Sequence, residues 1–431
     1  PGLAGYIKKK FEDSENGRRS HEQRWLQAFK NFRGIYDSTT QYRDSERSKV
    51  FIKITKTKVL AAYGQIIDIL FANKKFPIVV EATPMPEGVE EFAHMKTPLD
   101  EEADMADPYG FAGDGRELPP GALQANKPHK LGSYDKEFPE KLAAGPSKMG
   151  EPQVSPAQKM ALKMEKCIQD QLLDTNATNV LRQAIFEASL LGTGIVKGPF
   201  NFYKRVNKWE KGEDGQRNYV PYEKTVPRIE YVSIWDFHPD PSATSIEDCE
   251  YVIQRHRMNR QQLRALIMRP YFDAEAIEEC LSKGANYEDK YYEDTIREDE
   301  TEPYYQENRF EVLEYWGVID KKYAYEVGLD NVNDMNEFDQ AQVNVWVCGN
   351  QVIRCVMNPF TPARIPFQAF PFEINPYQLW GVGVAENMED AQLLMNGHVR
   401  MAIDNLALAG NLVFDVDEAS LVPGQNMDIF P

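Results

Sequence analysis

Apolar positions along the chain switch period several times, and each switch marks an element. HEQRWLQAFKNFRGIY sets Trp25, Ala28, Phe29, Phe32 and Tyr36 on one helical stripe. A polar stretch follows, then SKVFIKITKTKVLAAYGQIIDILF, helical in spacing from Val59 to Phe71, with Lys49, Lys53, Lys56 and Lys58 at its front. KFPIVVEATP reads as a strand closed by proline. From residue 84 to 156 the periodicity fades into Gly, Pro and charge, which predicts an extended surface insertion. AQKMALKMEKCIQDQLLDT and TNVLRQAIFEASLLGTG are helical, the second ending at glycines and passing into the strand IVKGPFNFYKRV.

KWEKGEDGQRN predicts a hairpin-like turn, and VPRIEYVSIWDFHPDPSA returns as strand and turn. EYVIQRHRM is a strand and NRQQLRALIM a short helix with Asn259 as its cap. EDKYYEDTIREDETEPYYQEN is acidic and tyrosine-rich, the composition of an exposed loop. FEVLEYWGVID and VNVWVCGNQVIRCVM alternate as strands, so 309 to 357 forms a β module with a polar interruption. The 27 residues from Val384 to Gly410 read as one helix about 40 Å long. Glu386, Glu389, Asp390, Asn396, Gly397, Arg400 and Asp404 share one arc of it; Met388, Ala391, Leu394, Met395, Ala402 and Leu406 lie opposite. The plain alternative is a core helix with a solvent face.

A chain of 431 residues, 42% hydrophobic and 27% charged, has room for two or three ordinary globular domains. VLAAYGQIIDILFA is broken by Gln65 and Asp68 and is too polar for a membrane span. The N-terminal PGLAGYIKKKFEDSENGRR lacks the apolar core of a signal peptide, so folding in a cytosol is expected. Five scattered cysteines without a CxxC pair read as reduced and structural. The net charge of -18 argues against tight binding of nucleic acid, which draws on Lys and Arg. It does not exclude a protein that DNA slides past.

Gly381-Val382-Gly383 invites a nucleotide reading. The dinucleotide fingerprint needs a third glycine, and Glu386 stands in its place; a carboxylate there competes with pyrophosphate for the helix N-terminus. Asp236, His238 and Asp240 alternate like metal ligands, but the prolines of WDFHPDPS favour a turn. The acidic run Asp100-Glu101-Glu102 lacks EF-hand spacing. No catalytic, cofactor-binding or metal residues are assigned, and no enzyme declares itself.

PARIPFQAFPFEINPYQLWGVGVAENMEDAQLLMNGHVRMAIDNLALAGNLVF resembles the stem region of tailed-bacteriophage portal proteins. The resemblance rests on a Pro-rich apolar strand, the joint Trp380, Gly381 and Gly383, then a helix with Asp390, Gln392 and Asn396. GTGIVKGPFNF is similar to the wing strand of portals of short-tailed phages, YVSIWDFHPDPSATSIEDCEYVIQRHRM to their strand, turn and strand, and FEVLEYWGVID to the strand leading toward their clip. The resemblance implies an α+β portal fold with wing, stem helices and a small β-containing clip, assembled as a homo-oligomeric ring, a dodecamer. The implied parts are N-terminal wing helices and strand (1–83), the insertion (84–156), an α/β wing (157–308), clip and approach to the stem (309–378), stem helix (379–410) and return to the wing (411–431). The crown of larger portals has no counterpart, which reads as a truncated or partial chain.

The resemblance also implies a virion protein at one capsid vertex, assembled in host cytoplasm without a membrane or cofactor. Its implied partners are the terminase large subunit, the major capsid protein and scaffold, an adaptor or tail proteins, and the double-stranded DNA that is packaged and ejected through the ring. Glu386, Glu389, Asp390, Asn396, Arg400 and Asp404 would line the tunnel, and Trp380, Gly381 and Gly383 would turn the chain from clip to stem. Two alternatives stay open: another head-tail connector or adaptor, and a carboxylate-based hydrolase with Tyr291, Tyr292, Tyr304 and Tyr305 stacking on sugar.

Overall fold

The computed structural model describes residues 2–36, 48–72, 76–82, 156–211, 217–297, 308–329, 339–360, 362 and 364–410. They fall into two units, Pro1–Phe76 with Gln171–Pro431, and Pro77–Asp170. In the smaller unit the described parts are residues 77–82 and the larger part of helix α3 (Pro156–Asp174). The strand expected over KFPIVVEATP does not form: described residues 76–82 join no ladder. Local β propensity makes a strand only where a partner lies alongside. The Gly/Pro-rich insertion lies outside the described residues but for its last one, as do 411–431.

The larger unit is organised along helix α1 (Leu3–Arg33). Only the stripe from Trp25 onward stands out in the sequence, yet the helix begins at Leu3 because nothing between Leu3 and Arg33 breaks it. Leu3, Ala4, Ile7 and Phe11 follow a three-to-four spacing and pack on one face of a β-sheet. Trp25, Ala28 and Phe32 enter a second core. Between them the buried stripe continues with polar residues. Ser14 Oγ donates to the Pro239 carbonyl at 2.6 Å, and Arg18 donates to the carbonyls of Trp235 (3.0 Å) and Phe237. Glu22 pairs with Arg18 at 2.9 Å. Helix α2 (Ile54–Phe71) and helix α4 (Ala177–Leu191) pack into the same second core.

Two antiparallel sheets complete the unit. One has the order β2-β1-β8, from β1 (Thr193–Lys211), β2 (Arg217–Val232) and β8 (Phe367–Pro371). The other runs β3-β4-β5-β6-β7, from β3 (Phe237–Pro239), β4 (Tyr251–Asn259), β5 (Arg309–Asp320), β6 (Gln340–Cys348) and β7 (Gln351–Met357). One face of the five-stranded sheet takes the front of α1. The other takes α5 (Arg260–Ala265) and α6 (Ala274–Lys283). Asn259 caps α5 as expected: its side chain accepts from Gln262 N, and Gln262 returns the bond to Asn259 N.

The mixed helix and sheet content agrees with an α+β class. The boundary expected at 308/309 does not separate two bodies, because β4 and β5 pair from Tyr251↔Gly317 to Asn259↔Arg309. The acidic tyrosine-rich segment is only partly an exposed loop. Tyr292 is buried against Trp235, and Glu293 opens a short helix α7 (Glu293–Arg297), accepting from Arg255 at 2.9 Å; the short α8 (Lys321–Glu326) follows β5.

The two sheets are joined by a buried polar cluster. Lys197 of β1 donates to Glu314 of β5 at 2.5 Å and to Gln254 of β4 at 2.9 Å. His256 Nε2 lies 2.8 Å from the same carboxylate, and the Trp316 indole donates to it at 2.7 Å. Burial alone would raise the pKa of Glu314, but Lys197 and His256 hold it well below the usual carboxylate range. Glu187 of α4 is the opposite case. It accepts from Ile234 N at 3.0 Å and from Ser233 Oγ at 3.2 Å, and burial without a cation pushes it up to about 8.

Two outcomes follow. Lys197→Met strands the Glu314 charge and should cost roughly 3–5 kcal/mol in urea unfolding at pH 7. Glu187 keeps its proton in the folded state up to about 8 while the unfolded chain releases it near 4.3. Stability should therefore fall as pH rises through that window, by at most about 1.4 kcal/mol per unit. Glu187→Gln should lack this component, so the difference between wild-type and variant unfolding curves measured from pH 5 to 9 isolates it.

Candidate functional site

The segment INPYQLWGVGVAEN crosses the centre of the larger unit. Trp380 is buried, its ring edge-on to Trp25 at 4.8 Å and to Phe237 at 6.1 Å. Gly381 N donates to Thr193 Oγ1 at 2.8 Å, Val382 N to the Glu373 carbonyl at 3.1 Å, and Phe372 N to the Gly192 carbonyl at 2.8 Å. This backbone runs directly over the end of α4, where Gly192 has φ +98°. A methyl group on Gly381 would lie 2.5 Å from the Gly192 oxygen, and one on Gly383 would lie 2.7 Å from the Leu190 oxygen. The glycines serve close contact between two stretches of backbone. The space a phosphate would need is filled by residues 190–193, so the nucleotide reading fails on geometry.

Beyond the joint the expected single helix is two: α9 (Val384–Asn387) and α10 (Glu389–Gly410). Met388 leaves helical geometry at φ -94°, ψ 1°, although Met388 N still donates to Val384 O at 3.0 Å and Gln392 N to Met388 O at 2.8 Å. The straight segment is thus 22 residues, about 33 Å. Glu386 receives Arg24 of α1 through Nε at 3.0 Å and Nη2 at 2.5 Å. This pair ties the start of the helix to α1.

The polar arc of α10 is turned toward the chain's own segment 48–55. Gln392 accepts from Thr55 N at 3.1 Å and from Thr55 Oγ1 at 2.9 Å, and donates to the Ile52 carbonyl and to Asn396 Oδ1. Asn396 Oδ1 accepts from Ile52 N at 3.0 Å. Asp404 accepts from Ser48 N at 3.0 Å, and the Arg400 guanidinium lies over the Tyr36 ring. Gln392, Asn396 and Arg400 are 1%, 3% and 9% exposed. Leu393, Leu394, Leu406 and Leu408 are 63–71% exposed. The solvated polar arc and buried apolar arc expected from the sequence are therefore reversed within the chain for Asn396 and Arg400. A segment entering a helix without a capping side chain carries unpaired N–H groups, and carboxamides satisfy them where leucines cannot. Glu389 and Asp390 remain exposed.

The other chemical candidates disperse. Among the described residues no group of His, Cys, Asp and Glu could hold a metal ion. Asp240 makes a turn, accepting from Ser242 N at 2.9 Å, whereas His238 is fully buried in β3 against Phe11. Burial and the nearby Arg18, Arg255 and Lys290 hold the His238 pKa well below its ordinary value. Of the tyrosines proposed to stack on sugar, Tyr292 is in the core, Tyr291 donates to Glu22 at 3.1 Å, and Tyr304 and Tyr305 lie outside the described residues. No helix among the described residues is long and apolar enough to cross a membrane.

Residues 207–427 match the family model described as phage SU10 portal protein, slightly more than half of the chain. The chain belongs to this portal family. The match takes in the joint, α9 and α10, and it decides between a portal and an adaptor. No curated protein matches the chain. Helix α10 is held by Gln392, which the sequence reading names as part of a motif but gives no role. The available signal is the spacing of Gln392, Asn396 and Arg400, three polar residues at i, i+4 and i+8.

Replacing Gln392 by Leu should unpair Thr55 N and the Ile52 carbonyl and cost about 2–4 kcal/mol. Leu394→Ala should change the stability of the monomeric chain by less than about 1 kcal/mol. Urea unfolding of the two variants at low protein concentration checks both, and a larger loss for Leu394→Ala would reassign the faces again.

Proposed function

We propose that the chain is the subunit of a ring of about twelve copies at one capsid vertex, through which double-stranded DNA is packaged and ejected. On this reading the ring docks the terminase motor, sits among the major capsid protein and scaffold, and later receives the adaptor or tail. Membership of the portal family supports the general role. The observation that carries ring formation is the orientation of α10. Its polar side is used up within the chain, while Leu394, Met401 and Leu408 recur every seventh residue with 40% or more of their surface bare. Such a stripe returns to nearly the same side every two turns and is the seam by which helices associate. Neighbouring subunits would cover it.

Within the ring the tunnel surface would be built from groups that the chain leaves in solvent. Glu389 and Asp390 are the two of the six proposed tunnel residues exposed in the single chain. Glu386, Asn396, Arg400 and Asp404 would contribute by holding the helix at its angle to α1 and segment 48–55. With a net charge of -18, the wall would repel the DNA backbone and let it slide.

Native mass measurement should give a closed ring of roughly twelve subunits. The double variant Leu394→Asp/Met401→Asp should leave a folded monomer, since both residues are exposed before assembly. A wild-type chain that stays monomeric at micromolar concentration, or a double variant that still closes rings, would overturn the proposal. The assembled ring should bind free duplex weakly; tight binding that collapses steeply with salt would overturn the sliding wall.

A further inference from the structure

Two of the five cysteines are brought together at a place unrelated to the stem. Cys280 lies in the last turns of α6 and Cys348 ends β6, 68 residues apart, and both belong to one core cluster with Ile277, Phe310 and Trp346. The Cys280 thiol donates to the Cys348 carbonyl at 3.4 Å, which brings the two cysteines into direct contact. Both side chains line a cavity of about 740 Å³ whose wall mixes Lys8, Lys283 and Lys290 with Glu12, Glu15, Glu288 and Glu311. Thus each sulfur is screened from bulk solvent but reached through a cavity of mixed charge.

We propose that Cys280 and Cys348 are a convertible thiol pair, oxidised to a disulfide by a small-molecule disulfide that enters this cavity. The neighbouring Cys348 side chain lowers the pKa of Cys280 against the effect of burial, with Lys283 adding to it, while Cys280 and burial raise that of Cys348. Cys280 is therefore the attacking sulfur. Its thiolate displaces one thiolate from the incoming disulfide, giving a mixed disulfide. Cys348 then loses its proton and attacks the Cys280 sulfur, releasing the second thiolate. Two protein thiols are oxidised, one small disulfide is reduced to two thiols, and the protons leave with them. The new bond fastens α6 to the β6–β7 hairpin and closes a long loop. A protein made among reducing thiols and later exposed outside a cell meets the change of environment that such a pair responds to.

The test uses the full chain, fully reduced, and oxidised glutathione as probe. After incubation, acid quench, alkylation and digestion, mass spectrometry should find the Cys280 and Cys348 peptides joined. Exposed Cys167 should carry a glutathione adduct, reporting that the oxidant is active. The Cys348→Ser variant should trap glutathione on Cys280, whereas Cys280→Ser should leave Cys348 unmodified. The joined form should melt roughly 5 °C above the reduced form. Glutathione on Cys167 with Cys280 and Cys348 both still alkylated overturns the proposal. So does a link from either cysteine to a different partner, an adduct that favours Cys348 over Cys280, or a joined form with an unchanged melting temperature.

Discussion

The carboxylate of Glu314 holds the two sheets together. It sits in β5, in the middle of the five-stranded sheet, and its partner Lys197 comes from β1 of the other sheet. Both side chains are almost fully buried, so neither charge can be left alone without a desolvation penalty of several kcal/mol. The amide of Gln254, the imidazole of His256 and the indole of Trp316 complete the shell. Leucines could fill the same space more cheaply, but they would not fix the angle between the sheets. The two directed bonds of Lys197 do, and β8 pairs with β1 on that same sheet.

The same logic recurs along α1. Its apolar ends enter two different cores, and its middle is pinned by Arg18 to the carbonyls of Trp235 and Phe237, which precede and begin β3. Those carbonyls face away from a ladder partner, and a guanidinium offers donors in a planar fork that reaches both. The helix is therefore the beam on which the second core, the joint at Trp380 and the ion pair to Glu386 are mounted. Placing α9 is a consequence of placing α1.

The polar inner face of α10 serves the fold of this portal chain. Its carboxamides close the backbone of segment 52–55, a local need of the single chain. Its leucines remain outside, available to a neighbouring surface. An ordinary amphipathic helix would spend its apolar face on its own core and leave polar groups for solvent. Here the order is inverted, because the segment it meets presents unpaired backbone instead of apolar side chains.

The sequence by itself determined most of the local structure. Periodicity located the stripe of α1, the strands β4 to β7 and the helix beyond the joint, and the Asn259 cap was legible because capping is read within four residues. The missing third glycine and Glu386 were enough to argue against nucleotide, and the ordered set around Trp380, Gly381 and Gly383 led to the portal family. What tertiary structure alone decided is which side of each element faces which partner. An amphipathic pattern gives two faces but not their destinations, so the burial of Asn396 and Arg400 follows only from the chain segment they meet. The strand expected over KFPIVVEATP failed for the same reason, since a ladder needs a second chain segment that local pattern cannot supply. Lys197 with Glu314, and Cys280 with Cys348, meet across 117 and 68 residues. Contacts at that range are set by how sheets and helices close on one another, a property of the whole chain rather than of any window within it.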